Sequence, residues 1–291
     1  MRNTFIDNLT EFAKTNKNIF LLVGDVGYSV VEKFEKNFPD RFLNVGVAEQ
    51  NMTGIAAGLA SEGYHVFTYS IANFPTFRCA EQIRNDIDYH NLPVTVVSVG
   101  GGVAYGNLGY SHHAIQDYGL IRMMSNFTIA SPGDNNEVKN ILLYLINNPQ
   151  PSYLRLGKNA EKEYTSNNKK LIPGKWYPLR SNKGFEEIIL STGASLQWVM
   201  KNFKKFKNKD VYTVPIWGMR DKEKQKKYSK YFSSITTVED HIYDCGFGSW
   251  LKEALDFSPS NRKINCIAIP SEIKGLVSSE EEILNKMQSF N

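Results

Sequence analysis

Five short apolar runs follow one another through the first half of the chain, each closed by glycine, proline or polar turn residues. They are "NIFLLVGD" (18–25), "HVFTYSI" (65–71), "LPVTVVSVGGG" (92–102), "FTIASPGD" (127–134) and "SYLRLGK" (152–158). The runs are continuously apolar rather than alternating, which is the pattern of strands buried on both faces of a parallel sheet. Parallel neighbours need long crossovers, and helical patterns fill the intervals. "NTFIDNLTEFAKT" places Phe5, Leu9 and Phe12 on one face, and "GDNNEVKNILLYLINN" opens with cap residues and repeats Val138, Leu142 and Ile146. This order predicts a doubly wound α/β domain over 1–160.

A polar, weakly periodic stretch over 161–184 reads as a surface linker. Apolar runs then resume at "EEIILSTGAS" (186–195), "DVYTVPIWG" (210–218), "SSITTVEDH" (233–241) and "NCIAIPS" (265–271), predicting a second, smaller α/β domain over 185–291. The lysine-rich pieces "KNFKKFKNKD" and "RDKEKQKKYSK" lie inside that unit and read as solvated helix faces.

Composition excludes several classes. A net charge of +4 without a basic block among aromatics gives no nucleic-acid footprint. No apolar run approaches the ~20 residues a membrane span requires, and the polar, amphipathic start is neither a secretory signal nor an anchor. Cys79, Cys245 and Cys266 are scattered without metal-ligand spacing, which suits a reducing compartment. A cytoplasmic protein is expected.

One residue does not match its surroundings. In "RFLNVGVAEQNMTGIAAGLA" (41–60), a short apolar strand, a turn and a small-residue helix enclose Glu49, with Val45, Val47, Ala48, Met52 and Ile55 around it. A buried, unpaired carboxylate is costly, so Glu49 must be exposed, paired or held against a group that needs it. Its plain reading is a helix N-terminal acid favoured by the backbone dipole.

The longer context carries a resemblance. "NVGVAEQNMTGIAAGLASEGYHVF" resembles the start of the pyrimidine-binding domain of transketolase-like, thiamine-diphosphate-dependent enzymes. "SVGGG…GYSHHAIQDYGLIRMMSNFTIASPGDNNEV" is similar to that domain's second half, and "TVEDHIYDCGFGSW" (237–250) to the signature of the family's C-terminal domain. The blocks occur in order and span essentially the whole chain. The resemblance implies a pyrimidine-binding domain followed by a transketolase C-terminal-like domain. It also implies a role for Glu49, because the matching glutamate hydrogen-bonds the N1′ nitrogen of the cofactor's aminopyrimidine and so promotes formation of the reactive ylide. The carbon–carbon chemistry belongs to the cofactor, and the protein tunes and orients it.

Further roles follow from the same resemblance. Phe74 and Phe77 match the aromatic segment that stacks on the aminopyrimidine, with either ring a candidate. Asp25 is expected near the cofactor, and Arg84 resembles a family arginine that organises the site. His112 aligns with a histidine that reaches the donor sugar's hydroxyls, and His113 beside it is a second substrate candidate. Arg2, Ser29 and Lys158 occupy places of phosphate-contacting residues. Lys158 replaces an arginine and so loses the bidentate fork. "SVGGG" puts glycine where the family has a phosphate-site histidine, and Leu108 replaces a donor-binding aspartate, so the acceptor end has diverged. Glu239 and His241 of "VEDH" read as structural.

The family's metal motif, Gly-Asp-Gly followed by asparagines, does not occur here. "GDVG" (24–27) and "PGDNN" (132–136) do not continue in that way, and no metal ligand is assigned to this chain. The resemblance therefore implies the C-terminal half of a split transketolase. A separate N-terminal-half subunit would carry the Mg²⁺ or Ca²⁺ and diphosphate ligands, in an α₂β₂ assembly acting on sugar phosphates. The β subunit of a 2-oxoacid dehydrogenase E1 component shares the domain order and the glutamate, and is the alternative. A nucleotide-binding module is disfavoured: "GGGVAYGNLG" does not join a strand directly to a helix, and no acidic ribose partner follows about 20 residues on.

Overall fold

The computed structural model describes residues 1–158, 161–180, 186–206, 208–255 and 263–290. Among these residues, thirteen strands form two sheets: β1 (Ile19–Val23), β2 (Phe42–Asn44), β3 (His65–Ile71), β4 (Val94–Val99), β5 (Thr128–Ala130), β6 (Ser152–Leu156), β7 (Tyr177–Arg180), β8 (Glu187–Ser191), β9 (Asp210–Thr213), β10 (Ile216–Trp217), β11 (Ser234–Ile242), β12 (Lys263–Ile269) and β13 (Gln288–Phe290). The first sheet runs β10-β5-β6-β4-β3-β1-β2 and the second β13-β12-β11-β8-β9-β7. The first is parallel apart from the antiparallel β10–β5 edge pair. The second is parallel at its centre, with β13 and β7 antiparallel at its edges. Helices flank both sheets, so the expected α/β class with two mainly parallel sheets is what forms.

The continuous apolar runs become central strands. Val94, Val96, Val97 and Val99 of β4 are all buried, as are Val66, Phe67 and Tyr69 of β3. Helix Arg2–Thr15 buries Phe5 and Leu9 against that sheet. Helix Asn135–Asn147 starts where its cap residues indicate, with Asp134 accepting from the Glu137 backbone N–H at 3.0 Å. Asp134 also accepts from the backbone of Tyr164 and Thr165, so its carboxylate is fully engaged in holding this corner.

The two halves are more interwoven than the sequence suggested. Part of the expected linker is core: Leu171, Trp176 and Tyr177 are buried, and β7 pairs with β9. Residues 181–184 of that stretch lie outside the described residues. The run at 210–218 divides, because Pro215 ends β9 and lets β10 cross to the first sheet and pair with β5. Between the sheets, Arg155 of β6 is 1% exposed and donates to Asp117 Oδ2 and Asp240 Oδ1, both at 2.7 Å. His241 stacks on Tyr118 at 5.1 Å, and Glu239 accepts from the Phe247 and Gly248 backbone N–H groups that open helix Phe247–Leu255. The geometry of "VEDH" is that of an inter-sheet joint.

Burial pushes the Glu137 carboxyl up to about 8, with Asp134 adding to the rise and the Gly133 N–H opposing it. An acid with a raised folded-state pKa holds its proton longer when folded, so stability drops as pH climbs from about 4.5 towards 8. Glu239, also pushed up to about 8 mainly by burial, acts with the same sign. The melting temperature should therefore decline over that window, and Glu137→Gln should flatten the decline. An identical slope in the two proteins would show that Glu137 is ionised when folded.

Candidate active site

Because β1 to β4 are parallel, the loops after them leave the sheet along one edge. β2 lies on one side of β1 and β3 on the other, so the chain reverses direction there. Such a switch point opens a crevice outside the carboxyl ends of the strands. Gly24 and Asp25 follow β1, Glu49 follows β2, the segment from Phe74 to Arg78 follows β3, and the loop carrying His112 follows β4.

Glu49 is the first residue of helix Glu49–Ser61 and is only 2% exposed. Its burial is compensated. Arg78 Nη1 donates to Glu49 Oε2 at 2.6 Å, and Ser70 Oγ at the end of β3 lies 3.5 Å from Oε1. The Arg78 guanidinium carbon sits 4.9 Å from the centroid of the Phe74 ring. His112 meets the same ring edge-on at 5.2 Å. Glu49, Arg78, Phe74 and His112 are thus linked in one continuous chain of contacts. His112 has its pKa lowered by burial and then by its neighbour His113. At neutral pH a neutral imidazole can both donate and accept.

A second element of the crevice is a cavity of about 260 Å³ lined by Arg2, Tyr28, Tyr69 and Tyr105, among others. Burial raises the Tyr69 and Tyr105 hydroxyls above their ordinary pKa, and the Tyr69 hydroxyl has no hydrogen-bond partner among the described residues. Lys158 Nζ lies 4.4 Å from the Tyr105 ring, so two cations, Arg2 and Lys158, flank that ring. Asp25, at φ 53°, accepts from Asn44 and Tyr28 and ties the β1 turn to the end of β2. Ser29 is exposed at φ 62°, with its backbone N–H on Glu32.

Two expected site residues, Arg84 and His113, lie in a different geometry, and the two phenylalanines left open are placed differently from each other. Arg84 pairs with adjacent Asn85 at 2.9 Å and lines a separate, exposed groove with Tyr89, His90 and Asn126. The arginine that reaches Glu49 is Arg78, which the sequence pattern did not single out. The sequence marks it only as the one lysine or arginine between Arg41 and Arg84. His113 is 1% exposed, with Nε2 on the Gly106 carbonyl at 3.3 Å, and its own carbonyl accepts from Asn73. That geometry staples the loop to the end of β3. Of the two candidate phenylalanines, Phe74 contacts Arg78 and His112, whereas Phe77 is exposed on the next turn.

Among the described residues, no group of three or more His, Cys, Asp or Glu side chains is placed to hold a metal ion, and no helix is long and apolar enough to cross a membrane. An aminopyrimidine needs a buried carboxylate for its ring nitrogen and a flat apolar wall. Glu49 is such a carboxylate and Phe74 such a wall, and Arg78 touches both.

Residues 1–162 match the model of the transketolase pyrimidine-binding domain. An apulose-4-phosphate transketolase subunit of Phocaeicola vulgatus is 31% identical, over 93% of this chain and 88% of its own length. A putative transketolase C-terminal section of Methanocaldococcus jannaschii is 30% identical, over 98% of this chain and 90% of its own length. A split-gene transketolase solved as an inactive β4 tetramer superposes with a TM-score of 0.81 at 27% identity, covering 99% of this chain and 98% of that one. These matches favour transketolase over the E1 alternative. The chain belongs to the transketolase family, and it spans that family's pyrimidine-binding and C-terminal domains.

Proposed function

We propose that this chain is the β subunit of a two-subunit transketolase that moves a two-carbon ketol unit from a ketose phosphate to an aldose. Thiamine diphosphate, when bound, supplies the carbon–carbon bond chemistry. The chain's own residues bind, orient and handle protons. Glu49 holds a proton at the pyrimidine ring nitrogen, Phe74 sets the plane of that ring, and His112 positions substrate hydroxyls. Arg2 and Lys158 hold the anionic end of the sugar beside Tyr105, and Asp25 braces the rim. Ser29 lies on that rim near Tyr28.

The observation that carries the reading is the buried Glu49 carboxylate at the sheet's switch point, linked through Arg78 to the Phe74 ring. A second observation supports a partner. Tyr28, Val47, Phe77, Leu108 and Tyr110 are large apolar side chains exposed on loops that follow the carboxyl ends of β1 to β4. Apolar surface gathered at one edge is a feature of faces covered by another chain. The partner would be the N-terminal-half subunit, with a Gly-Asp-Gly segment and asparagines for the diphosphate and a Mg²⁺ or Ca²⁺ ion. Hard oxygen ligands of that kind suit these cations. Two copies of each chain would complete the assembly.

The experiment is reconstitution. The chain alone, supplied with Mg²⁺ and thiamine diphosphate, should show no transfer. The pair should transfer from a ketose phosphate and should not decarboxylate a 2-oxoacid. Transfer at ordinary enzyme rates by the chain alone would end the two-subunit reading, and 2-oxoacid decarboxylation by the pair would end the transketolase reading.

A further inference from the structure

The turn after β3 and the loop after β4 meet through one amide. Asn73 Nδ2 donates to the His113 carbonyl at 2.5 Å and lies 3.5 Å from the Ser111 carbonyl, so a single nitrogen spans the backbone on both sides of His112. These two acceptors fix which end of the amide faces the loop, since only its nitrogen can donate to a carbonyl. The Asn73 carbonyl in turn accepts from the Thr76 and Phe77 backbone N–H groups, at 3.3 and 3.2 Å, and closes the turn that carries Phe74. Other bonds of the loop stay within it or reach elsewhere. The His112 N–H donates to Gly109, Ser111 Oγ lies 3.0 Å from His112 Nδ1, and the Ser278 N–H donates to Gly106. Among the described residues, no other side chain hydrogen-bonds from that turn to the loop over 103–113.

We infer that Asn73 is the positioning residue for His112, its amide holding the imidazole against the edge of the Phe74 ring. This inference rests on the proposed roles of His112 and Phe74. The two ring centroids lie 5.2 Å apart. His112 ends a three-residue turn, Tyr110–His112, whose first two residues are exposed while His112 itself is half-buried. Packing alone gives such a segment little hold. Asn73, by contrast, stands two residues beyond β3, a strand buried over most of its length at the centre of the sheet. Its side chain therefore ties an exposed turn to a rigid frame, and the same residue's carbonyl sets the turn that places Phe74. Only an amide of this length meets both needs. Aspartate has the same shape but no donor, and would set a charged oxygen against two carbonyl oxygens. Serine keeps one donor on a shorter stem, and alanine keeps none.

The test uses the complex of the full chain and its partner, with Mg²⁺, thiamine diphosphate and a ketose phosphate as donor. Asn73→Ala should lower the donor kcat/KM about tenfold, the effect of one lost hydrogen bond, with most of the change in KM because His112 binds rather than reacts. Thiamine diphosphate affinity, measured by calorimetry, should stay within about twofold of native, since the cofactor's carboxylate and ring wall are untouched. Asn73→Ser should lose less than Asn73→Ala. The deciding measurement is Asn73→Ala in a His112→Ala background. A residue that acts through His112 has nothing left to hold there, so the second substitution should add no further loss. The same roughly tenfold loss in that background would overturn the inference, because a merely structural role persists without the imidazole. A native-like donor kcat/KM in Asn73→Ala would also overturn it, and so would a matching fall in cofactor affinity, which would make Asn73 a prop of the Phe74 turn. Should Asn73→Ala not assemble, Asn73→Ser carries the same pair of measurements. If His112→Ala alone leaves donor kcat/KM native, His112 is not a substrate residue and the inference falls with that reading, a failure distinct from an intact His112 effect that Asn73 does not share.

Discussion

Glu49→Gln, in the chain assembled with its partner, is expected to lower two-carbon transfer by about 10²–10⁴-fold, the usual worth of a positioned proton-transfer group. The substitution is nearly isosteric and keeps a hydrogen-bonding end, so what it removes is the ability to hold and return a proton. It should do so without unfolding the protein. Arg78, the partner of Glu49, is about half exposed, so losing the carboxylate leaves no cation stranded in the core. The neutral amide also lacks the desolvation cost that Glu49 carries at 2% exposure. Stability should therefore stay within about 1 kcal/mol of the native value, the range of a partly exposed ion pair. Steady-state transfer and a thermal melt on the same preparation check both halves of this expectation. Activity within a few-fold of native, in a folded complex, would remove Glu49 from the proton path. A large loss of melting temperature would make the residue structural.

The parallel sheet and the place of Glu49 were legible in the sequence for the same reason. Continuous apolar runs have few alternatives, and a carboxylate inside one is conspicuous. The ends and edges were less legible. β7 lies in a polar stretch because an edge strand is half solvated, and β10 is only two residues long, too short to show periodicity. The glycines of "SVGGG" suggested lost phosphate contacts, and the structure adds a packing reason for them. A Cβ on Gly100 would lie 2.1 Å from the Tyr105 ring, one on Gly101 2.7 Å from the Arg155 guanidinium, and one on Gly102 2.4 Å from Asp240. Arg155 and Asp240 stand far along the chain from these glycines, and one sequence gives no sign of which side chain will lie against which glycine. Arg78 was missed for a related reason. Its contact with Glu49 forms only when the loops after β2 and β3 meet.

Arg155→Met should have the largest effect on stability, about 3–5 kcal/mol, the cost of removing one partner from a buried ion pair. The guanidinium is engaged throughout: besides Asp117 and Asp240 it donates to the Tyr118 hydroxyl at 3.2 Å and to the Ala114 carbonyl at 2.7 Å. Methionine fills most of the space but leaves two buried carboxylates with no cation between them. For a chain of this size the loss corresponds to a fall in melting temperature of roughly 10 °C. Charge and packing can be separated by repeating the substitution in an Asp117→Asn/Asp240→Asn background. Recovery of most of the loss there would identify the stranded carboxylates as the cause, and no recovery would place the cost in the lost hydrogen bonds and shape. The same substitution should also reach the active site. Ala114 pairs with Gly102 as an isolated bridge closing the loop that carries His112, and Arg155 holds that bridge from below. Below its lowered melting point, Arg155→Met should therefore bind substrate more weakly while thiamine diphosphate binding, proposed to centre on Glu49 and Phe74, changes little. Equal losses in both affinities would mean that the joint between the sheets supports the whole crevice and not the His112 loop alone.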